Sequence, residues 1–222
     1  MRVSPIKSAE SYSWLLNRHY AKRIPPISYA FGLYEGTDIV GVVTYGVPAS
    51  SPLRAGIAGD EYIYDVLELN RLCIDSNNKN AASYLVAHSI KQLPKGKIIV
   101  SYADLGMEHV GYVYQATNFI YTGLSAKRTD WRVKGLEHLH GATIADMSRG
   151  QENRAQYMRN RFGDDFYLED RPRKHRYIFI HGSKRYKKTV LSALNYGIEP
   201  YPKGDSSRYD DSGFVEKQHS LF

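Results

Sequence analysis

A carboxylate, a histidine and a tyrosine follow one another closely in the middle of the chain. The run 97–104 is apolar from Ile98 to Val100 and ends on Asp104, which predicts a buried strand with a carboxylate at its end. A glycine-bounded loop over 105–111 contains His109, and Tyr114 lies on the helix predicted next. Ligands bind where strands of open α/β sheets end, and these side chains can transfer protons or coordinate metals. This stretch is therefore predicted to carry chemistry.

The segment before it combines a strand, a polar turn and a helix. Residues 62–74 predict a long apolar strand, and apolar residues recur at helical spacing from Ala82 until Pro94 ends the helix. The first turn of a helix exposes unpaired backbone N–H groups, and Lys79 lies beside them. The turn is therefore a candidate phosphate cradle; an ordinary capped helix is the alternative.

Arg71 is out of place in the predicted buried strand. A lone buried guanidinium is costly, so it needs an anion. Glu68 lies three residues earlier, and strand alternation places it on the opposite face. We therefore expect Arg71 to meet Asp104 or a ligand.

The remaining elements are shorter, and together they predict a mixed α/β domain. They are a helix over 8–20, strands over 27–34 and 39–46, a loop over 48–59, a helix that ends near Gly123, a polar helix over 151–162, a strand over 174–180 and a basic helix over 183–195. We expect a domain over 1–170 and a basic extension over 171–222, packed on it and flexible at its end.

The net charge of +7 comes from one segment. Residues 171–188 hold eight Lys or Arg and no acid, and removing these eight charges leaves the rest of the chain at −1. Aromatic residues alternate with the cations, which favours a nucleic-acid footprint over a solvated face. The predicted DNA contacts are Arg173, Lys174, Arg176, Lys184, Arg185, Lys187 and Lys188.

Composition excludes several classes of protein. Hydrophobic residues make up 42% of the chain, which excludes general disorder. Cys73 is the only cysteine, so an internal disulfide and a cysteine zinc cluster are both excluded. The chain has no apolar run at its start and none long enough to cross a bilayer. We therefore expect a protein of a reducing compartment such as the cytoplasm, with no membrane partner.

The strand–turn–helix segment resembles the coenzyme A motif of GNAT-type acyltransferases, and residues 97–123 resemble the second half of that core. The resemblance implies acetyl-CoA or another acyl donor as ligand, and a helix tyrosine, here Tyr114, that protonates the leaving thiolate or is simply core. Asn80 and Ala82 stand where that family has glycines. The cofactor-binding residues implied are Leu72, Ile74, Lys79, Asn80, Ala81, Ala82, Ser83 and Asn118.

A more extensive resemblance is to the Mom family of phage DNA-modification proteins. It is carried by Asn17–Tyr20, Val40–Gly46, Glu68–Leu72, Ser101–Asp104 with its Gly/His loop, Tyr114–Asn118 and Lys174–Tyr177. It implies a GNAT-like mixed sheet flanked by helices, and transfer of a carbamoylmethyl group to the exocyclic amine of adenine in double-stranded DNA, which protects the DNA from restriction. The catalytic residues implied are His19, Tyr20, Arg71, Asp104 and Tyr114. The family is also associated with iron, with His19, Asp104 and His109 as the implied ligands.

Alternatives to this interpretation concern the donor and the acceptor. Acetyl transfer does not supply the nitrogen of a carbamoylmethyl group, whereas a glycyl group has the same atoms. An aminoacyl-tRNA that carries glycine is therefore an alternative donor, followed by rearrangement. The alternative functions are a GNAT-type acyltransferase acting on another amine, in RNA or protein, and a non-catalytic DNA-binding anti-restriction protein.

Overall fold

The computed structural model describes residues 1–139 and 141–204. The strands are β1 (Arg2–Pro5), β2 (Tyr29–Glu35), β3 (Asp38–Gly46), β4 (Val66–Ile74), β5 (Lys97–Asp104), β6 (Ile120–Leu124), β7 (Arg128–Val133), β8 (Phe166–Arg171) and β9 (Lys174–His181). The helices are α1 (Ser8–Asn17), α2 (Ser51–Ala58), α3 (Ala81–Gln92), α4 (Tyr112–Ala116), α5 (Gly141–Asp146), α6 (Arg154–Phe162) and α7 (Lys184–Ala193).

Internal contacts divide the chain into two compact units. The first comprises residues 1–103, 109–123 and 175–204, and the second comprises 104–108 and 124–174. The boundary predicted at residue 170 stays a prediction, and residues 205–222 of the predicted basic extension lie outside the described residues.

A seven-stranded sheet in the order β1-β2-β3-β4-β5-β9-β6 forms the frame of the first unit. Strands β1 to β4 pair antiparallel, whereas β4 and β5 pair parallel through the crossover helix α3. Strand alternation gives the sheet two apolar faces, because Ile99 and Tyr177 lie in one buried cluster and Ile98 and Ile178 in another. This confirms the predicted α/β class with a mixed sheet flanked by helices.

Helix α3 forms where the apolar periodicity predicts it. Its buried residues are Ala81, Leu85, Val86, Ser89 and Ile90, which recur at three- and four-residue spacing. Pro94 follows two residues after its end. None of the described helices is both long and apolar enough to cross a membrane.

The second unit has its own small core. Strands β7 and β8 pair antiparallel over six residues each, and Val133, Ile144 and Met158 are fully or almost fully buried beside them. Helix α6 presents several exposed polar residues and carries three arginines and no acid.

Two predicted elements are wrong. Residues 51–58 form helix α2, because Ser50 caps it by accepting the Leu53 N–H and Pro52 lies in the first turn, where its missing N–H is tolerated. Gly123 does not end a helix: α4 stops at Ala116, and Gly123 lies in β6 with φ of 81°. The left-handed residue after α4 is Asn118, with φ of 60°.

Candidate active site

The parallel strands β4 and β5 separate part-way along their length. They pair only from Val66 to Glu68, opposite Ile98 to Val100, although both strands continue for several residues. We call the opening between Leu69–Ile74 and Ser101–Ala103 the wedge. The Ser101 hydroxyl donates a hydrogen bond of 3.0 Å to the Leu69 carbonyl and spans its narrow end. A wedge of this kind leaves backbone groups of two strands available to a ligand.

A β-bulge changes which side chains of β4 share a face. In the pairing with β3, Thr44 lies opposite Arg71 and Tyr45 opposite Leu69, so Asn70 is an extra residue. One extra residue reverses the alternation beyond it, which brings Glu68 and Arg71 to the same face. Glu68 interacts electrostatically with the Arg71 guanidinium. The prediction that Glu68 lies on the opposite face is therefore wrong.

Arg71 carries a donor that nothing in the described residues satisfies. Its Nη1 donates to the Asn70 carbonyl at 2.6 Å, whereas its buried Nε–H has no partner among the described residues. Burial lowers the pKa of the guanidinium, and the charges of Tyr20 and Glu68 oppose this shift. A buried cationic N–H without an acceptor is costly, so the site is suited to an oxygen of a bound substrate.

Tyr114 combines a core ring with a hydroxyl at the wedge. The side chain is 8% exposed, and its ring centroid lies 5.3 Å from those of Phe119 and Tyr177. Its hydroxyl is hydrogen-bonded to Ser101, and burial raises its pKa to about 12, with a smaller contribution from the nearby Glu68. The phenol is therefore protonated at neutral pH and can donate a proton. This position fits both predicted roles of Tyr114, a core residue and the proton donor to the leaving group.

His19 and Tyr20 lie in the segment that follows α1. The Nδ1 atom of His19 accepts the Ala21 N–H at 3.0 Å, so a neutral His19 carries its proton on Nε2. The two rings stack at 4.4 Å, and the edge of Tyr20 meets His109 at 6.4 Å. Tyr20 is 49% exposed and interacts electrostatically with Arg71. It therefore connects the two histidines with the wedge.

The bulge residue also holds the segment that leads from His19 to β2. Asn70 Nδ2 donates to the Pro26 carbonyl at 2.9 Å, and its Oδ1 accepts the Thr44 hydroxyl at 2.6 Å. Gly46 lies directly beneath Pro26, and a side chain there would collide with the proline carbonyl group. These contacts hold Pro26, at the end of the segment that contains His19 and Tyr20, against the bulge of β4.

Asp104 belongs to the second unit, where it has two local partners. Its carboxylate accepts the Gly106 N–H at 3.0 Å and pairs with the Lys174 ammonium at 2.7 Å. The described residues contain no group of three or more His, Cys, Asp or Glu that could hold a metal ion. The iron site predicted from His19, Asp104 and His109 is therefore not supported.

The predicted cofactor residues fall into two places. Lys79 and Asn80 precede α3 and Ala81–Ser83 begin it, and no side chain caps this helix. Asn78 satisfies the first two donors, through a 3.1 Å bond from Asn80 N–H to its side chain and a 2.9 Å bond from Ala81 N–H to its carbonyl. The next backbone donors are the N–H groups of Ala82 and Ser83. The predicted phosphate cradle therefore offers fewer N–H donors to an anion than the sequence indicated.

The other predicted cofactor residues do not share this helix start. Leu72 and Ile74 pack partly against the core. Asn118 lies at the far end of α4, facing the C-terminal half of α3.

The predicted DNA contacts also divide. Arg173 donates to the Ser125 and Leu124 carbonyls, and Arg176 donates to Thr122 and stacks on Tyr196. With Lys174 paired to Asp104, three of these cations have partners within the chain. The other four are exposed on the first half of α7: Lys184, Arg185, Lys187 and Lys188. Cations at a helix N-terminus oppose the helix dipole, an arrangement that a bound anion would relieve.

A model of the Mom protein family matches residues 1–203. The chain belongs to the Mom protein family. It is 29% identical over 212 residues to the methylcarbamoylase Mom of Escherichia phage Mu, which covers 91% of this chain and 84% of that protein. Three stretches that carry the Mom resemblance, Asn17–Tyr20, Glu68–Leu72 and Tyr114–Asn118, contribute residues to the site described above.

Solved acetyltransferase structures show a lower similarity. A Bacillus cereus GNAT acetyltransferase is 13% identical, with 82% of this chain and 98% of that chain covered and a TM-score of 0.43. The ribosomal-protein-S18-alanine N-acetyltransferase of Escherichia coli is 9% identical, with 82% and 94% covered and a TM-score of 0.44. The family assignment rests on the sequence match.

Proposed function

We propose that this chain is a transferase that attaches a carbamoylmethyl group to the exocyclic amine of adenine in double-stranded DNA. Membership of the Mom family supports the DNA target. The observation that carries the proposal is the juxtaposition of Glu68, Arg71 and Tyr114 at the wedge, since it combines a base, an oxygen-binding cation and a proton donor.

Each of these residues has a distinct part in the transfer. The adenine nitrogen forms a bond to the carbonyl carbon of the donor while the bond from that carbon to its leaving oxygen breaks. The product is a glycyl amide, which becomes the isomeric carbamoylmethyl group in the later rearrangement. The Glu68 carboxylate takes the proton that the amine loses, and the Tyr114 phenol gives one to the leaving atom. The Arg71 Nε–H binds the oxygen on which negative charge develops.

Tyr20 is the residue best placed to hold the base. An amine inside a duplex is paired, so the adenine must leave the stack before it reacts. Tyr20 is exposed at the wedge and already stacked on His19, and it offers a ring on which a flipped base can stack. His19 then acts as a positioning residue beneath that ring.

The donor is an acyl donor whose composition must include the amide nitrogen. Acetyl-CoA lacks this nitrogen, whereas a glycyl ester of tRNA contains all the atoms of the product and needs one rearrangement. The first turn of α3 leaves the Ala82 and Ser83 N–H groups for a phosphate of such a donor. The exposed cations of α7 would bind a nucleic-acid backbone.

Deproteinised DNA distinguishes covalent modification from protection by a bound, non-catalytic protein. Genomic DNA from cells that express the full chain is deproteinised and then digested with restriction enzymes whose sites contain adenine. Resistance that survives removal of the protein is expected, because the modification is covalent. If this DNA is cut as readily as DNA from cells that express a Tyr114→Phe variant, the proposal is contradicted and protection by occupancy is favoured. Tyr64→Phe, at a tyrosine that is 85% exposed, is the matched control.

A further inference from the structure

A second depression lies in the first unit, at the other end of the sheet from the wedge. It is bounded by the C-terminal half of α3, the turn after α4, the end of β9 and the first half of α7, and it has a volume of about 350 Å³. We call it the groove. Ala87, Ile90 and Phe179 make its apolar wall, and Lys91, Lys187 and His181 bring polar groups to it. Its volume falls within the usual range for small-ligand sites.

The position of β9 shows that the groove and the wedge are separate. The Gly96 N–H donates to the His181 carbonyl at 2.8 Å, so β9 ends beside the beginning of β5. The wedge opens only beyond Val100, towards the end of β5. The groove and the wedge are therefore at opposite ends of the same strand.

The charges in the groove are positive and unopposed. No carboxylate lines it within the described part of the chain, and neither Lys91 nor Lys187 forms an ion pair there. The Lys187 ammonium lies 5.7 Å from the centroid of the Phe179 ring. Two lysines that line a groove with an apolar wall suit an anion that is attached to an apolar or aromatic body.

The polar rim adds hydrogen-bonding groups. His181 Nε2 donates to the Leu93 carbonyl at 3.1 Å, and burial is the main cause that lowers the pKa of His181. The neutral ring therefore keeps Nδ1 as an acceptor. Asn118 holds a left-handed backbone with φ of 60° and is exposed at the rim.

We propose that the groove binds a nucleotide: its phosphate between Lys91 and Lys187, and its base against Phe179, with the Asn118 amide at the base edge. This site is independent of the transfer chemistry proposed at the wedge. The ligand is a nucleoside monophosphate unit, either free or as the phosphorylated end of a nucleic-acid strand. Charge supplies the affinity for the phosphate, and the aromatic ring accepts a stacked or edge-packed base.

Calorimetry on the full chain tests the groove with AMP as the probe. AMP is expected to bind at millimolar concentration or tighter, and adenosine at least tenfold more weakly, because it lacks the phosphate. The double variant K91A/K187A is expected to weaken AMP binding at least tenfold. K184A/K188A, which removes two cations of α7 that do not line the groove, is the matched control and is expected to bind AMP like the parent.

Competition distinguishes the two sources of the nucleotide. Displacement of AMP by a short 5′-phosphorylated oligonucleotide, but not by the same oligonucleotide with a 5′-hydroxyl, assigns the groove to a strand end. If neither oligonucleotide displaces AMP, the groove is assigned to a free nucleotide. Absence of AMP binding, or equal weakening in both double variants, overturns the proposal. These measurements involve no transfer activity, so their failure is distinct from failure of the proposed function.

Discussion

Replacing Gly46 by alanine tests whether the bulge in β4 positions the reactive segment after α1. An added Cβ would lie 2.8 Å from the Pro26 carbonyl carbon and 2.9 Å from Asn70 Nδ2, and closer still to the Pro26 oxygen. Ordinary carbon contacts are about 3.5–4.0 Å. The segment at Pro26 must therefore move away by roughly 1 Å, which also breaks its hydrogen bond from Asn70.

The magnitude follows from two contributions. Overpacking by one methyl group costs about 1–3 kcal/mol of folding free energy, and loss of the Asn70–Pro26 bond costs about 1 kcal/mol more. A displacement of roughly 1 Å at reacting groups reduces turnover by up to about 100-fold. We expect Gly46→Ala to remain folded, with its urea midpoint lowered, and to lose at least tenfold in the rate at which modified adenine accumulates.

Two further variants make this experiment decisive. Gly197→Ala adds the same methyl where no atom lies within 4 Å, and it is expected to leave both stability and modification unchanged. Asn70→Ala removes the same hydrogen bond without overpacking, and it is expected to reduce modification as well. Full modification in Gly46→Ala with a lowered urea midpoint would refute the positioning role, because the segment would then have moved without effect on the chemistry.

Three further predictions concern individual groups. Glu68→Gln removes the proposed base and should abolish modification, and it should also lower the urea midpoint because it removes the anion beside the partly buried Arg71. Glu152→Gln, at an exposed site, should change neither. Burial raises the pKa of Tyr114 from 10.0 to about 12 in the folded protein. The contribution of the neutral phenol to the free energy of unfolding is therefore complete below pH 10, and it declines by up to about 3 kcal/mol as the pH rises to 12. Urea unfolding at pH 8 and pH 11.5 should therefore show a smaller loss in Tyr114→Phe than in the parent, and an equal loss would contradict the assignment. Neutralising the four exposed cations of α7 should flatten the salt dependence of duplex binding by up to about 0.9 log units per lost phosphate contact, and an unchanged slope would mean that this face is only solvated. The residues replaced are Lys184, Arg185, Lys187 and Lys188.

Hydrophobic periodicity predicted the helices and strands in which buried residues recur at regular spacing. Helix α3 and strand β3 follow their hydrophobic patterns closely, because tertiary packing there agrees with local preference. Residues 51–58 form a helix where a loop was predicted, because Pro52 follows the capping Ser50 and lies in the first turn. A proline in that position starts a helix, whereas Pro94 follows the end of one. Strand β6 was missed because Gly123 suggests a helix end from the sequence alone.

The candidate site could be predicted only in its residue types. Arg71 and Tyr114 were identified from chemistry and resemblance, but the part of Glu68 depends on one extra residue at Asn70. A bulge leaves no periodic signal in a strand this apolar, so simple alternation misplaced Glu68. Charge counting likewise identified the basic segment but could not distinguish Arg176, which is bound to Thr122 and Tyr196, from the exposed cations of α7.

Nucleoside mass spectrometry shows directly whether the protein modifies adenine in DNA. DNA from cells expressing the full chain is digested to nucleosides, and each adenine nucleoside is fragmented to separate base from sugar. The account predicts a modified deoxyadenosine that carries the carbamoylmethyl composition on its base, and its disappearance in Glu68→Gln and Tyr114→Phe. Unmodified deoxyadenosine alone, with the parent protein abundant and soluble, would contradict the claim that the wedge transfers this group to adenine in DNA.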